Sequence, residues 1–350
     1  MNLLTITSKK RESYKVQLES SLLWESALGI AAITNASILD TLEKKNEFEL
    51  QKEKMPAELC TELDYVQKNN TWKCLLQLLH TFQSQSSDLH DFTSYIEELL
   101  DEKLKYICLP YIGEAYLELR RLAVHGDNDS MRTLMQLTKE NSFFPSYIQF
   151  ICTVNPVELK QHLILVMSLW YETVIAPVST EILSILNRDT RQKEKMMRTI
   201  PSEEFVEWAT GGITYSPEPN VQNVLLIPQL TYRPWNVESD IEDSKVFYYP
   251  VSDDSIHPDD AYRPPYLLVQ KHKALGDEVR LRIIKHLYEK DSTLQEITES
   301  LELGKSTVHH HLKLLRAASL VNIRSAKYHL KTQALQTLSQ ELLLYVTKRS

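Results

Sequence analysis

Between Lys305 and Arg316, the residues that can donate hydrogen bonds or carry positive charge recur on one side of a helical repeat. Val308, Leu312 and Leu315 are spaced four and three apart, so a helix over Lys305–Ala318 turns these three inward. Lys305, Ser306, Thr307, His309, His310 and Lys313 then face outward. Hydroxyls at a helix N-terminus, imidazoles and an ammonium can reach phosphates and base edges in a major groove, and the positive end of the helix dipole adds attraction for a phosphate. His309, His310 and His311 are consecutive and point in three directions, so they cannot converge on one metal ion. His311 lies next to the apolar stripe and reads as a core or interface residue. A solvated basic face with no nucleic-acid role has the same composition, and the neighbouring elements decide between the two.

Those neighbours are short and closely spaced. Val279, Ile283, Ile284 and Leu287 form an amphipathic stripe over Asp277–Lys290, after a start signal at Gly276-Asp277. Thr293 and Glu296 have capping-box spacing for a helix over Thr293–Leu301 that buries Leu294, Ile297 and Leu301. Only a few residues then precede Lys305, and so short a connection forces the sharp crossing of a helix-turn-helix. Leu320–Arg324 and Lys327–Lys331 alternate around Ser325-Ala326, which predicts a β-hairpin, or wing, with Arg324 and Lys327 flanking its turn and able to contact a nucleic-acid backbone or minor groove. Ser-Ala lacks the Asn or Gly that a two-residue hairpin turn prefers. A closing helix over Thr332–Thr347 places Leu335, Leu338, Leu342 and Val346 on one face. That face exceeds what so small a module can cover, and with a helix near Leu267–Leu275 it predicts a homodimer; packing against the rest of the chain is the competing reading.

The segments HKALGDEVRLRIIKHL and STVHHHLKLLRAASLV resemble the winged helix-turn-helix of the arsenical-resistance repressor (ArsR) family, and the likeness covers Leu267 to Val346. The resemblance implies a sequence-specific DNA-binding transcription regulator, a repressor by default, that meets double-stranded DNA as a two-fold dimer. Many members of the family sense metals through a cysteine pair at the start of the second helix; the matching positions here are Thr293 and Gln295. Others hold zinc between closing helices through His and carboxylates, whereas Thr332–Thr347 has no His and only Glu341. Neither ligand set is present, so no metal or other cofactor is expected in this module. Glu302 replaces the usual turn glycine, and Gly304 stands where a capping Ser is common.

Charge and composition divide the chain. Residues 265–350 hold nine Lys and five Arg against eight acidic residues, a net +6, while the remainder carries −14 of the chain's overall −8. A basic module on an acidic body is the pattern of a protein in which one part meets a polyanion. The stretch SDDSIHPDDAYRPP, Ser252–Pro265, is rich in Asp and Pro and is expected to be an unpacked linker between an N-terminal domain, residues 1–251, and a DNA-binding domain, residues 266–350. The expected fold class is mainly α with a small antiparallel sheet, a C-terminal winged helix-turn-helix being appended to an α+β N-terminal domain.

The N-terminal body carries little nameable chemistry. Seven glycines in 350 residues leave no glycine-rich phosphate cradle, which argues against P-loop and dinucleotide-binding enzymes. Tyr14, Val16 and Leu18, then Val221–Tyr232 and Lys245–Val251, suggest strands. Helical patterns lie at Ser21–Ile33, Thr71–Phe82, Phe92–Leu100, Ile112–His125, Ser130–Lys139, Pro156–Thr173 and Ser179–Met197. Cys60, Cys74, Cys108 and Cys152 have no C-x-x-C spacing and read as buried free thiols in a reducing compartment. Met1–Lys10 has no apolar signal core, and Leu163–Tyr171 is too short to cross a bilayer, so a cytoplasmic protein without a membrane partner is expected. Asp127 reads as a helix cap rather than the start of a calcium loop. Tyr232, Arg233 and Trp235, with Tyr248 and Tyr249, can line a ligand pocket, although a strand-end turn covering the core accounts for them more simply. No catalytic residue is assigned. The body is expected to sense a small-molecule or protein effector or to drive assembly. An N-terminal catalytic domain positioned on nucleic acid by the winged helix, and a protein-interaction adaptor, are the alternatives.

Overall fold

The computed structural model describes residues 13–82, 88–260, 262–324 and 326–347. Two compact units divide the chain, Met1–Val251 and Ser252–Ser350. The expectations for Met1–Lys10 and Ser325 lie outside the described residues.

The N-terminal unit is mostly helical around a four-stranded sheet ordered β1-β2-β4-β3, with β1 at Lys15–Leu18, β2 at Asn223–Gln229, β3 at Val237–Ile241 and β4 at Ser244–Pro250. The interiors of β2 and β4 are continuous buried runs, Val224–Ile227 and Val246–Tyr249, as central strands covered on both faces require. The mainly α fold class with a small sheet stands, but its antiparallel pairing is corrected: β1·β2 and β2·β4 are parallel, and only β3·β4 is antiparallel. Parallel neighbours need long connections, and nearly the whole helical body is threaded between β1 and β2.

The Leu22–Ile33 helix is buried along its entire length. Its one carboxylate, Glu25, accepts hydrogen bonds from Leu230 N at 2.6 Å and Thr231 Oγ1 at 2.7 Å, and burial raises its carboxyl above the usual range. Gly29 lets this helix approach the next layer closely: a Cβ there would lie 2.7 Å from Cζ2 of Trp170. Gly29→Ala should therefore overpack this contact and destabilise the unit by about 1–3 kcal/mol, read as a lower urea midpoint. An unchanged midpoint would show that the indole can yield.

Trp170 ends the Pro156–Trp170 helix, which starts with Asn155 accepting from Val157 N at 2.9 Å. The helix then widens into a π turn at Tyr171–Ile175 and a 3₁₀ turn at Ala176–Val178 before resuming as Ser179–Met197. Pro177 accounts for the irregularity, because it lacks an N–H and its ring displaces the preceding turn. The Leu163–Tyr171 stretch is therefore not the short segment expected: Pro156–Met197 is one helical run long and apolar enough to cross a membrane. Leu159, Leu163, Val166, Met167 and Trp170 of this run are fully buried in the unit.

Most other expected helices are present, and Asp127 caps Asn128–Leu137 by accepting from Ser130 N at 2.9 Å. Helices at Lys45–Lys52, Ala57–Asn69, Asp101–Cys108, Phe144–Thr153 and Ser202–Ala209 occupy segments that sequence patterning left unassigned. Of the cysteines, Cys74 and Cys108 are buried, whereas Cys60 and Cys152 are partly exposed, which corrects the reading of all four as core thiols.

The stretch expected to be an unpacked linker holds a short helix, Asp253–Ile256. Its polar residues provide the caps: Ser252 Oγ accepts from Ser255 N at 3.3 Å, and Asp253 Oδ2 accepts from Tyr266 N at 3.0 Å, at the start of the Tyr266–Leu275 helix.

Candidate nucleic-acid interface

The C-terminal unit folds around Ile283, Leu287, Ile297, Val308, Leu312, Leu315, Leu320, Val321 and Tyr328. The scaffold helix, Glu278–Glu289, starts at Asp277, which accepts from Arg280 N at 2.9 Å. That bond, with the nearby Arg280 and His311, holds the Asp277 carboxyl below its ordinary range. The second helix, Leu294–Leu301, opens with the expected reciprocal cap. Thr293 N donates to Glu296 Oε2 at 2.6 Å and Glu296 N donates to Thr293 Oγ1 at 3.3 Å; the bonds that Glu296 Oε2 accepts from Thr293 N and Oγ1 hold its carboxyl low. Glu302 ends this helix in the left-handed conformation at φ 54°, where the absent glycine would be free of strain.

The recognition helix, Lys305–Ala317, follows. Val308, Leu312 and Leu315 are buried, and Lys305, Ser306, Thr307, His309, His310 and Lys313 are all exposed, which is the division that the spacing predicts. Gly304 begins the helix with no side-chain cap, so its first N–H groups are available to an anion. His311 turns the other way, with Nδ1 3.6 Å from Asp277 Oδ1, beside the start of the scaffold helix.

The wing is β5, Val321–Arg324, paired antiparallel with β6, Lys327–Leu330, in a register that sets Arg324 opposite Lys327. Lys327 is exposed beside the turn, Ala326 takes φ 62° there, and the Arg324 side chain lies outside the described residues. Sequence reasoning missed how the wing is anchored. Ser292 and Tyr328 exchange backbone hydrogen bonds at 3.2 and 2.8 Å, and His329 Nδ1 lies 2.8 Å from Asp291 Oδ2. A single-residue bridge leaves no periodicity to read.

Residues 277–322 match the family model of the bacterial regulatory protein, arsR family. The C-terminal unit carries an ArsR-family helix-turn-helix. This ArsR module is the DNA-binding part of a transcription regulator. No curated protein and no solved structure matches the chain.

The face expected to pair two ArsR modules is divided. The closing segment is two helices, Thr332–Gln336 and Leu338–Thr347, broken at Thr337, rather than the single helix expected. Leu335 packs on the module's own core, so it is not free for a partner. Leu338 is half-buried, while Leu342, Leu343 and Val346 are 40, 62 and 67% exposed. Lys271, on the Tyr266–Leu275 helix, holds the second closing helix through Glu341 at 2.6 Å.

In the N-terminal unit, Tyr232, Arg233 and Trp235 do not form pocket walls. Arg233 Nε donates to Glu43 Oε2 at 3.1 Å, and its Nη1 donates to the Val251 carbonyl. Tyr232 N donates to Gln229 Oε1 at 2.6 Å, and Trp235 Nε1 donates to Thr41 Oγ1 at 3.0 Å. Tyr248 and Tyr249 are fully buried. The segment is a packed turn that fills the ends of the parallel strands with the chain's own side chains, which corrects the ligand-pocket reading.

Proposed function

We propose that the protein is a cytoplasmic repressor that binds an imperfect palindromic operator as a homodimer, and that its N-terminal unit senses a small-molecule or protein effector without catalysing a reaction. The observation that carries the reading is the unbroken exposed row Lys305, Ser306, Thr307, His309, His310 and Lys313 above a buried Val308, Leu312 and Leu315. Pairing through Leu342, Leu343 and Val346 would set two recognition helices about 34 Å apart, one turn of DNA. The effector acts by changing that spacing.

Recovery of bound genomic fragments by the purified protein, followed by sequencing, tests the reading. One enriched palindrome supports it, and uniform recovery points to architectural binding instead. Light scattering that finds a monomer at micromolar concentration removes the dimer. Lys313→Ala should weaken operator binding and reduce the slope of log affinity against log salt by about 0.9 per recognition helix, or about two for the dimer. An unchanged slope in a salt titration would remove Lys313 from the interface.

A further inference from the structure

In the Trp72–Thr81 helix, residues Cys74 to Leu79 are all buried. Lys73 and His80 flank them, two turns apart on the same side of the helix, and both keep part of their surface open. Each reaches the sheet. Lys73 Nζ lies 3.3 Å from Ser239 Oγ on β3, and His80 Nε2 lies 2.7 Å from Tyr248 Oη on β4. The register pairs Ser239 with Val246 and Val237 with Tyr248, so Ser239 and Tyr248 are diagonal neighbours on one face of the sheet. The ring of Trp24 packs 4.7 Å from His80 and 5.7 Å from Tyr248 and closes one side.

Two groups in this cluster are left with unused capacity. Among the described residues, no carboxylate forms an ion pair with Lys73: Lys245 holds the neighbouring Asp240 and Glu238 at 3.0 and 3.1 Å, although the Asp240 charge still acts on the Lys73 amine and opposes the effect of burial. Nδ1 of His80 is buried with no hydrogen-bond partner among the described residues. Enclosure pushes the Lys73 amine down to about 8 and His80 down to about 3, with the Lys73 charge adding to the second shift. A partly enclosed amine without an ion pair is the form in which lysine acts as a nucleophile.

We propose that Lys73 is a covalent effector site that captures a small carbonyl compound, an aldehyde or a ketone, as an imine. The neutral amine nitrogen adds to the carbonyl carbon, its proton passes to the carbonyl oxygen, and loss of water forms the C=N bond; no oxidant or reductant enters. Effector identity rests on the sensing role proposed above, whereas capture by Lys73 does not.

The test uses the full-length protein with propanal and cyanoborohydride at neutral pH, followed by peptide mass spectrometry. An amine near 8 is neutral in about one molecule in ten at pH 7, against about one in a few thousand for an ordinary lysine, so Lys73 should be labelled at least about tenfold faster than exposed lysines such as Lys54 and Lys285. Labelling of Lys73 no faster than these overturns the proposal. Lys73→Met and Lys73→Arg should both lose the fast site while retaining the parent tryptophan emission, and fast labelling that persists in either places the nucleophile elsewhere. An operator affinity altered about fivefold or more in the labelled protein supports both capture and sensing. Fast labelling with unchanged affinity keeps the capture site and removes the sensing role.

Discussion

Leu312→Ala should cost the C-terminal unit about 3 kcal/mol and abolish operator binding at temperatures where the parent protein still binds. Leu312 is fully buried among Ile283, Leu287, Val308 and Leu315, and it joins the recognition helix to its scaffold. Truncation removes the transfer free energy of the lost carbons and leaves a cavity that packed helices close only in part. The chain offers a selective readout. All five tryptophans, Trp24, Trp72, Trp170, Trp208 and Trp235, belong to the N-terminal unit, so tryptophan emission follows that unit while far-UV circular dichroism follows both. Urea unfolding should then show an earlier circular dichroism transition with the emission midpoint unmoved. If both midpoints move together, the two units unfold as one and this account of the core is wrong.

Acid should destabilise the N-terminal unit through His80. Burial, with the Lys73 charge beside it, pushes this imidazole down from 6.5 to about 3. The unfolded chain therefore binds a proton near pH 6.5 that the folded chain refuses until near pH 3, and stability falls as pH drops through that window. Between pH 7 and pH 4 the contribution amounts to roughly 3 kcal/mol. His162 acts in the same direction: burial lowers it, partly offset by Glu62. Glu25 acts oppositely, because burial raises its carboxyl above 4.5, so its contribution is present at low pH and is lost as pH rises through the raised value. His80→Gln should separate these effects. Urea midpoints followed by tryptophan emission should fall less steeply between pH 7 and pH 4 in the variant than in the parent, and parallel lines would exclude His80 as the source.

The C-terminal unit was legible in the sequence because its helices are short and each has one wet face. Stripes such as Val308, Leu312 and Leu315, and caps such as Asp277 and Thr293, declare themselves within a dozen residues. The closing helix misled because its break has no Gly or Pro. Thr337 marks it instead, through bonds from its hydroxyl to the Gln333 carbonyl and to Glu341, at 3.1 Å each. The N-terminal unit was less legible for physical reasons. β3 reads VESDI, an edge strand whose charges hide its alternation. Parallel pairing of β1 with β2 joins residues about two hundred positions apart, and no local pattern encodes that. Lys73 and His80 were passed over because a helix repeat marks them as ordinary polar positions; the strands that enclose them arrive from far along the chain.

The hydrogen bonds between Ser292 and Tyr328 have a consequence for regulation. They fasten the inner strand of the hairpin to the residue just before the capped start of Leu294–Leu301, so the hairpin cannot tilt without dislodging that cap. The two parts able to grip a duplex are thus one stiff jaw of fixed gape. Under the dimeric reading proposed above, a signal that reaches such a jaw has little to reshape, and its leverage would lie in how two copies are held apart or whether they meet at all.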